Sequence, residues 1–244
     1  MNPDPMKDPR FISGIYNYCD RWCERCAFTG RCMNYALGQE VESGDSRLRD
    51  FENGESCDES HEIFDAAMDM NGDHADEDDV DFDIDDEGLE ESIREHEETH
   101  EAAESQPCSR TAMRYVEIVD TWLKSNEDIL GDADIRDNLE VVRWYQHLIW
   151  VKLCRAAGGA MRAEHLGIDC LHEDADGSAK VAIIGIERSM AAWEVLQRRF
   201  PDHEDAVLAL GTLKRLLRQV ESAFPNARAF RRPGFDTTEE QTGG

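Results

Sequence analysis

Four cysteines near the start of the chain are the residues best suited to chemistry. They occupy positions Cys19, Cys23, Cys26 and Cys32, inside the stretch YNYCDRWCERCAFTGRCMNY at residues 16–35. Gaps of three, two and five residues keep four thiols within one compact loop. Cysteine ligands grouped in this way hold Zn²⁺ or an iron–sulfur cluster. The spacing therefore predicts a metal site with all four cysteines as its ligands.

The kind of metal is open between two candidates. Structural zinc sites commonly take their ligands from two short knuckles separated by a longer insert. Here the four ligands lie in one short segment without such an insert, which favours a [4Fe-4S] cluster over Zn²⁺. A structural disulfide pair or four free thiols are the non-metal alternatives.

The residues between the cysteines fit a shielded, negatively charged centre. Aromatic side chains alternate with the ligands, and apolar shielding is one influence on the potential and stability of a cluster. Three arginines in the same stretch, Arg21, Arg25 and Arg31, can offset the charge of four thiolates. The interleaved aromatic residues are Tyr16, Tyr18, Trp22, Phe28 and Tyr35.

Residues 23–35, CERCAFTGRCMNY, resemble the C-x2-C-x5-C part of two [4Fe-4S] families. These are the endonuclease III type DNA glycosylases and the WhiB-like regulators. Counted from Cys19 upstream of this stretch, the resemblance covers about twenty residues. It does not extend to the helix-hairpin-helix module of the glycosylases or to the Gly-Trp-Gly-Gly turn of the WhiB-like proteins. It therefore implies cluster ligation by the four cysteines and nothing about substrate.

A second motif is the basis of an enzyme alternative. His96 and His100 flank Glu97 in the letters HEETH, the pattern of a zinc-binding H-E-x-x-H helix. Its surroundings, EESIREHEETHEAAE, have almost no apolar face that could bury a catalytic metal. We therefore favour a non-enzymatic protein, with a carboxylate/His metalloenzyme as the alternative and no catalytic residue identified.

Charge divides the chain of 244 residues into regions. Residues 40–107 carry 3 basic and 28 acidic side chains, so most of the net charge of −28 is concentrated there. This composition predicts an acidic, largely disordered tether. It separates a cysteine-rich metal-binding segment (1–39) from a helical region (108–232) and a flexible tail (233–244).

The same composition limits the partners. A pI near 4.5 argues against general binding to nucleic acid. No secretory signal and no apolar run long enough for a membrane span is visible. We expect a cytoplasmic protein with a protein partner, and the oligomeric state stays open.

Apolar periodicity in the last half of the chain predicts an all-α fold, an antiparallel four-helix bundle. The expected helices cover residues 111–130, 135–165, 178–199 and 203–224, with 167–177 as a long connection. The second helix is apolar on two sides, one of them containing Trp144, Leu148 and Val151, so it should be central. Glu140, His147 and Glu187 lack the Glu-x-x-His spacing of a di-iron site, so we interpret the bundle as a scaffold.

Overall fold

The computed structural model describes residues 8–43 and 86–236. This part of the chain is mostly helical and contains no strand, which confirms the all-α prediction. No helix in it is long and apolar enough to cross a membrane. Its six helices are α1 Met33–Ser43, α2 Asp86–Ser105, α3 Pro107–Ser125, α4 Arg136–Leu166, α5 Asp169–Arg199 and α6 Glu204–Ala223.

Helices α3 to α6 enclose the apolar core. Helix α3 packs against α4 and α6, and α5 packs against the same two helices. At the centre Trp122 meets Trp193 edge to face at 5.0 Å, and the indole of Trp193 donates a hydrogen bond to the Tyr115 hydroxyl at 2.9 Å. All three side chains are buried; Trp193 and Tyr115 satisfy each other, whereas the indole N–H of Trp122 has no hydrogen-bond partner among the described residues.

The turn between α4 and α5 is much shorter than predicted. Gly167 ends α4 in the left-handed region at φ +67°, which glycine adopts without a steric cost. Helix α5 then begins at Asp169, so most of the predicted long connection at residues 167–177 is helical. The sequence predicts a connection here, but Ala175 and Gly177 are buried by tertiary contacts that periodicity does not reveal.

Helix α2 lies inside the range for which the sequence predicts a tether. Its C-terminal turns pack on α4, because the methyl groups of Ala103 and Thr99 lie 3.8 Å from the position a Cβ would occupy at Gly158. Ala103 is fully buried there. The structure thus differs from the prediction over residues 86–107, and the rest of the predicted tether, residues 44–85, lies outside the described residues.

The cysteine-containing segment precedes α1 and is irregular, with two short 3₁₀ turns at Cys23–Arg25 and Thr29–Arg31. It is held against the C-terminal tail. Ile15 is 2% exposed, and its side chain lies 2.9 Å from the position of a Cβ at Gly234. Gly234 has φ +76°, so both the space and the backbone conformation at this contact require glycine.

Candidate metal centre

The four cysteines line one cavity. Its wall also includes the aromatic rings of Tyr16, Trp22, Phe28, Tyr35 and Phe235. All four cysteines are free thiols and partly buried. The structure therefore brings all four predicted ligand residues, Cys19, Cys23, Cys26 and Cys32, to one apolar-walled site.

The Cys26 sulfur accepts a hydrogen bond at 3.4 Å from the backbone N–H of Phe28, two residues further along the chain. The Cys19 thiol donates to the backbone carbonyl of Tyr16 at 3.4 Å; burial raises the pKa of Cys19, and the backbone of Arg21 acts in the opposite direction. Arg21 has φ +54°, a left-handed conformation that is uncommon outside glycine. Hydrogen bonds to sulfur stabilise a thiolate and tune a bound metal, so the turn at Cys26 favours ligation.

The thiols interact electrostatically. Burial raises the pKa of Cys23, and the neighbouring thiols Cys19, Cys32 and Cys26 raise it further. Burial likewise raises the pKa of Cys19. Thiolates repel one another in this space, and a bound cation reverses that effect by favouring the deprotonated form. Metal binding at this site must therefore release protons.

The site has limits as a metal centre. Across residues 8–43 and 86–236, no three His, Cys, Asp or Glu side chains are placed as a group that could hold a metal ion. The cavity volume is about 20 Å³, the space of roughly one water molecule. The donor chemistry fits a thiolate-ligated group, but the loop must close around a single ion or open around a cluster.

Asp20, next to the first cysteine, anchors the loop to the helices. Its carboxylate accepts a hydrogen bond from the Tyr145 hydroxyl at 2.5 Å and one from Arg188 at 2.7 Å. Its backbone carbonyl accepts from the Trp144 indole at 2.9 Å. Arg188 also donates to the Tyr145 hydroxyl. Helices α4 and α5 therefore both bind Asp20 and also bind each other at this point.

Trp22, between the first two cysteines, adds apolar contact to this anchor. Its ring stacks on Trp144 at 5.0 Å and meets Tyr145 edge to face at 6.0 Å. The guanidinium of Arg25 lies over the Trp22 ring, 4.3 Å from the ring centroid, and forms an ion pair with Glu140 at 2.5 Å. Trp22 thus packs the cysteine loop against Trp144 and Tyr145 of α4, at the edge of the apolar core.

Tyr18 forms a second attachment. Its hydroxyl donates to Asp174 at 2.9 Å, and its ring packs against Phe230 at 4.7 Å. A Cβ on Gly177 would lie 2.3 Å from the Tyr18 ring, so only glycine leaves room for it. The C-terminal tail closes over the loop through Phe28 and Phe235, whose rings are 5.0 Å apart.

A buried lysine lies beside the thiols. Lys152 is 5% exposed and donates to the backbone carbonyl of Asn17 at 3.1 Å. Burial lowers its pKa to about 8, and the nearby Cys19 acts in the opposite direction. Lys152 and Arg21 are the cations that interact with Cys19, so they are placed to offset a thiolate there.

The other candidate residues form no group of three possible metal ligands in the described part of the chain. His96 and His100 are exposed on α2 and line a cavity of about 280 Å³ with Trp150 and Cys154. Glu140 pairs with Arg25, and Glu187 pairs with Arg228 at 2.9 Å. Cys57 lies outside the described residues.

Sequence reasoning missed the helical side of the site. Asp20, Trp144, Tyr145, Arg188 and Lys152 were not identified as functional residues, although the second apolar side of α4 was visible. That stripe signals a further packing surface, but only the structure shows that the cysteine loop occupies it. No protein-family model, curated protein or solved structure matches this chain.

Proposed function

We propose that this protein binds a [4Fe-4S] cluster through Cys19, Cys23, Cys26 and Cys32, and that the centre serves electron transfer or sensing. The observation that best supports this proposal is that four free thiols from one short loop line a single cavity with aromatic walls. A bound cluster of this type supplies one-electron redox chemistry. The chain itself supplies the thiol ligands, the N–H donor of Phe28 and the shield of aromatic rings.

The helices support this function by holding the loop. We propose that α3 to α6 form an antiparallel four-helix bundle that acts as a scaffold. Each of these helices packs against two others, and the ring of Trp122 near the end of α3 lies 6.4 Å from that of His203 just before α6. The bundle contributes Asp20's partners, Lys152 and the surface under Trp22.

Zinc is the second candidate. The cavity has room for roughly one water-sized group, which fits a single ion without expansion. In that case the centre is structural, because four thiolates leave a tetrahedral ion no open position for substrate. Under either occupant we propose a cytoplasmic, non-enzymatic protein that acts through a protein partner.

Metal analysis of the anaerobically purified chain tests the proposal. We expect about four iron and four sulfide per chain with a broad absorbance band near about 400 nm, as iron–sulfur clusters give. Changing any one of the four cysteines to Ser should lower metal content strongly, because an alkoxide or hydroxyl is a poor replacement for a soft thiolate.

Two other cysteines provide matched controls. Cys154→Ser and Cys170→Ser should leave the metal content unchanged, since neither residue lines the cavity. One zinc per chain, lost in the same four variants, would identify the second candidate. Stoichiometric metal that survives all four changes would show that the centre lies elsewhere.

A further inference from the structure

A cavity of about 280 Å³ lies between α2 and α4, apart from the cysteine loop. The two helices touch beside it, where the methyl groups of Thr99 and Ala103 lie 3.8 Å from the Cβ position of Gly158. A protein cavity of about 150 Å³ is large enough to hold one benzene ring. The cavity between α2 and α4 therefore has room for a compound of one or two rings.

Helix α2 contributes a wall that differs from the rest of its surface. The lining residues His96, Thr99, His100 and Ala103 recur at three- and four-residue steps, so they form one face of the helix. Nearly half of the residues of α2 are acidic, yet no described Asp or Glu lines the cavity. The α2 wall is therefore made of imidazole rings and small side chains, without a carboxylate that would repel an anion.

Helix α4 contributes the apolar part of the opposite wall. Trp150 is partly buried against the core, and its neighbour Val151 is 51% exposed although it is a large apolar residue. Both line the cavity. A flat ring placed here would cover Val151 and could stack on the indole, the arrangement that aromatic groups prefer.

Two arginines of α4 line the same cavity. Asp174 accepts two hydrogen bonds from Arg155, at 2.9 and 3.2 Å, and also accepts one from the Tyr18 hydroxyl, so the position of Arg155 is fixed. Arg162 makes no ion pair with any described carboxylate. Other exposed arginines are also unpaired, but Arg162 shares a cavity with a tryptophan. Since Trp150 and Arg162 are about 18 Å apart along the helix, the cavity is apolar at one end and cationic at the other.

These walls select among small molecules. A guanidinium binds a carboxylate or a phosphate through two parallel hydrogen bonds. A cationic ligand would meet two arginines, and an uncharged one would leave Arg162 without a partner. The charge of His100 is partly offset, because its ring lies 3.6 Å from the Glu104 carboxylate. The two arginines are therefore the groups that favour a negative charge.

We propose that the cavity between α2 and α4 binds a flat compound of one or two rings that carries a carboxylate or a phosphate. The ring lies against Trp150 and Val151, and the anionic group lies toward Arg155 and Arg162. None of the residues that line this cavity lines the cysteine site. The inference therefore does not depend on what the four thiols hold.

Isothermal titration calorimetry with the full-length chain tests the proposal. The probes are naphthoate and naphthyl phosphate, and the uncharged control is naphthalenemethanol, which has the same two rings. We expect one site per chain with a Kd near or below about 1 mM, the affinity usual for about a dozen non-hydrogen atoms. The alcohol should bind at least about fivefold more weakly, since it lacks the charge that an arginine recognises. The tighter of the two anions identifies the anionic group of the natural ligand.

Arg162→Gln should weaken the better anionic probe about fivefold or more, because it removes a charged donor. It should leave the binding of the alcohol unchanged. Arg136→Gln is the matched control: Arg136 is exposed at the start of the same helix, about 39 Å away along its axis. This control should change binding by less than about twofold.

Val151→Trp tests the cavity by filling it. Since Val151 is 51% exposed, the larger ring is tolerated by the fold, and it should weaken the anionic probes and the alcohol alike by about tenfold or more. Val207→Trp is the control, because Val207 is 53% exposed on α6 and does not line the cavity. Circular dichroism checks that both variants keep their helicity.

Three outcomes would overturn the proposal. The first is the absence of saturable binding by either anion. The second is equal affinity for the alcohol and the anions, which would show that the arginines do not recognise the ligand. The third is equal weakening by Arg162→Gln and Arg136→Gln, or no effect of Val151→Trp, either of which would place the probe elsewhere.

Discussion

Asp20 connects the chemistry of the loop to the helices. It lies beside Cys19, and its carboxylate holds Tyr145 of α4 and Arg188 of α5 at once. Hydrogen bonds to a charged acceptor are stronger than neutral ones, and losing one leaves partly buried donors unsatisfied. This side chain therefore joins the ligand loop to two helices at once and is one of its main attachments.

Asp20→Asn should destabilise the protein by about 1–3 kcal/mol, because it removes a charge-assisted acceptor from two donors. The free energy of unfolding in urea measures the change. We also expect faster loss of metal to a chelator, since the first ligand is adjacent to the anchor.

Glu24→Gln is the matched control for Asp20→Asn. Glu24 is exposed in the same loop, makes none of these contacts, and its substitution changes the net charge by the same amount. Equal effects of the two changes on unfolding would contradict the role of Asp20 as an anchor.

Helix α5 has room for the loop because Gly177 has no side chain. Gly177 is buried under Tyr18 and Phe230, whose ring atoms lie 2.3 Å and 2.8 Å from where a Cβ would be. The helix thus provides a groove that only glycine allows. The same element carries Asp174 and Arg188, which bond Tyr18 and Asp20.

Gly177→Ala should displace the Tyr18 ring and destabilise the protein by about 1–3 kcal/mol, the usual cost of overpacking. Gly211→Ala provides the contrast, because no atom lies within 4 Å of its Cβ position. Alanine at this exposed position in the middle of α6 should stabilise the helix by about 0.5–1 kcal/mol. Thermal unfolding of both variants measures whether each change lowers or raises the stability. A stabilising Gly177→Ala would contradict the close contact.

Across the molecule, the boundary of the folded part depends on α2. The charge distribution alone sets this boundary near Ser109, whereas Ala103 and Thr99 are packed on Gly158 of α4. We therefore expect limited proteolysis to leave a stable fragment that includes Asp86–Ser105. Mass spectrometry of the fragment gives its first residue. A stable fragment that starts near Ser109 would show that α2 contributes little to the folded unit.

Local patterns predicted the features that depend on near neighbours in the chain. The spacing of Cys19, Cys23, Cys26 and Cys32 marked one loop because short gaps limit how far the thiols can separate. The all-α class followed from three- and four-residue apolar periodicity, which reflects burial of one helix face. The metal and its identity stay a prediction, both from the sequence and with the structure in hand.

Contacts between distant residues decided the rest. The sequence predicts a long connection around Gly177, yet Tyr18, far earlier in the chain, packs there and the segment is helical. In the sequence, Trp144 belongs to a second apolar stripe of its helix. In the structure its ring stacks on Trp22 and its indole N–H donates to the backbone carbonyl of Asp20. Such choices could not be predicted, because composition and periodicity show that a surface is apolar but not which distant segment covers it.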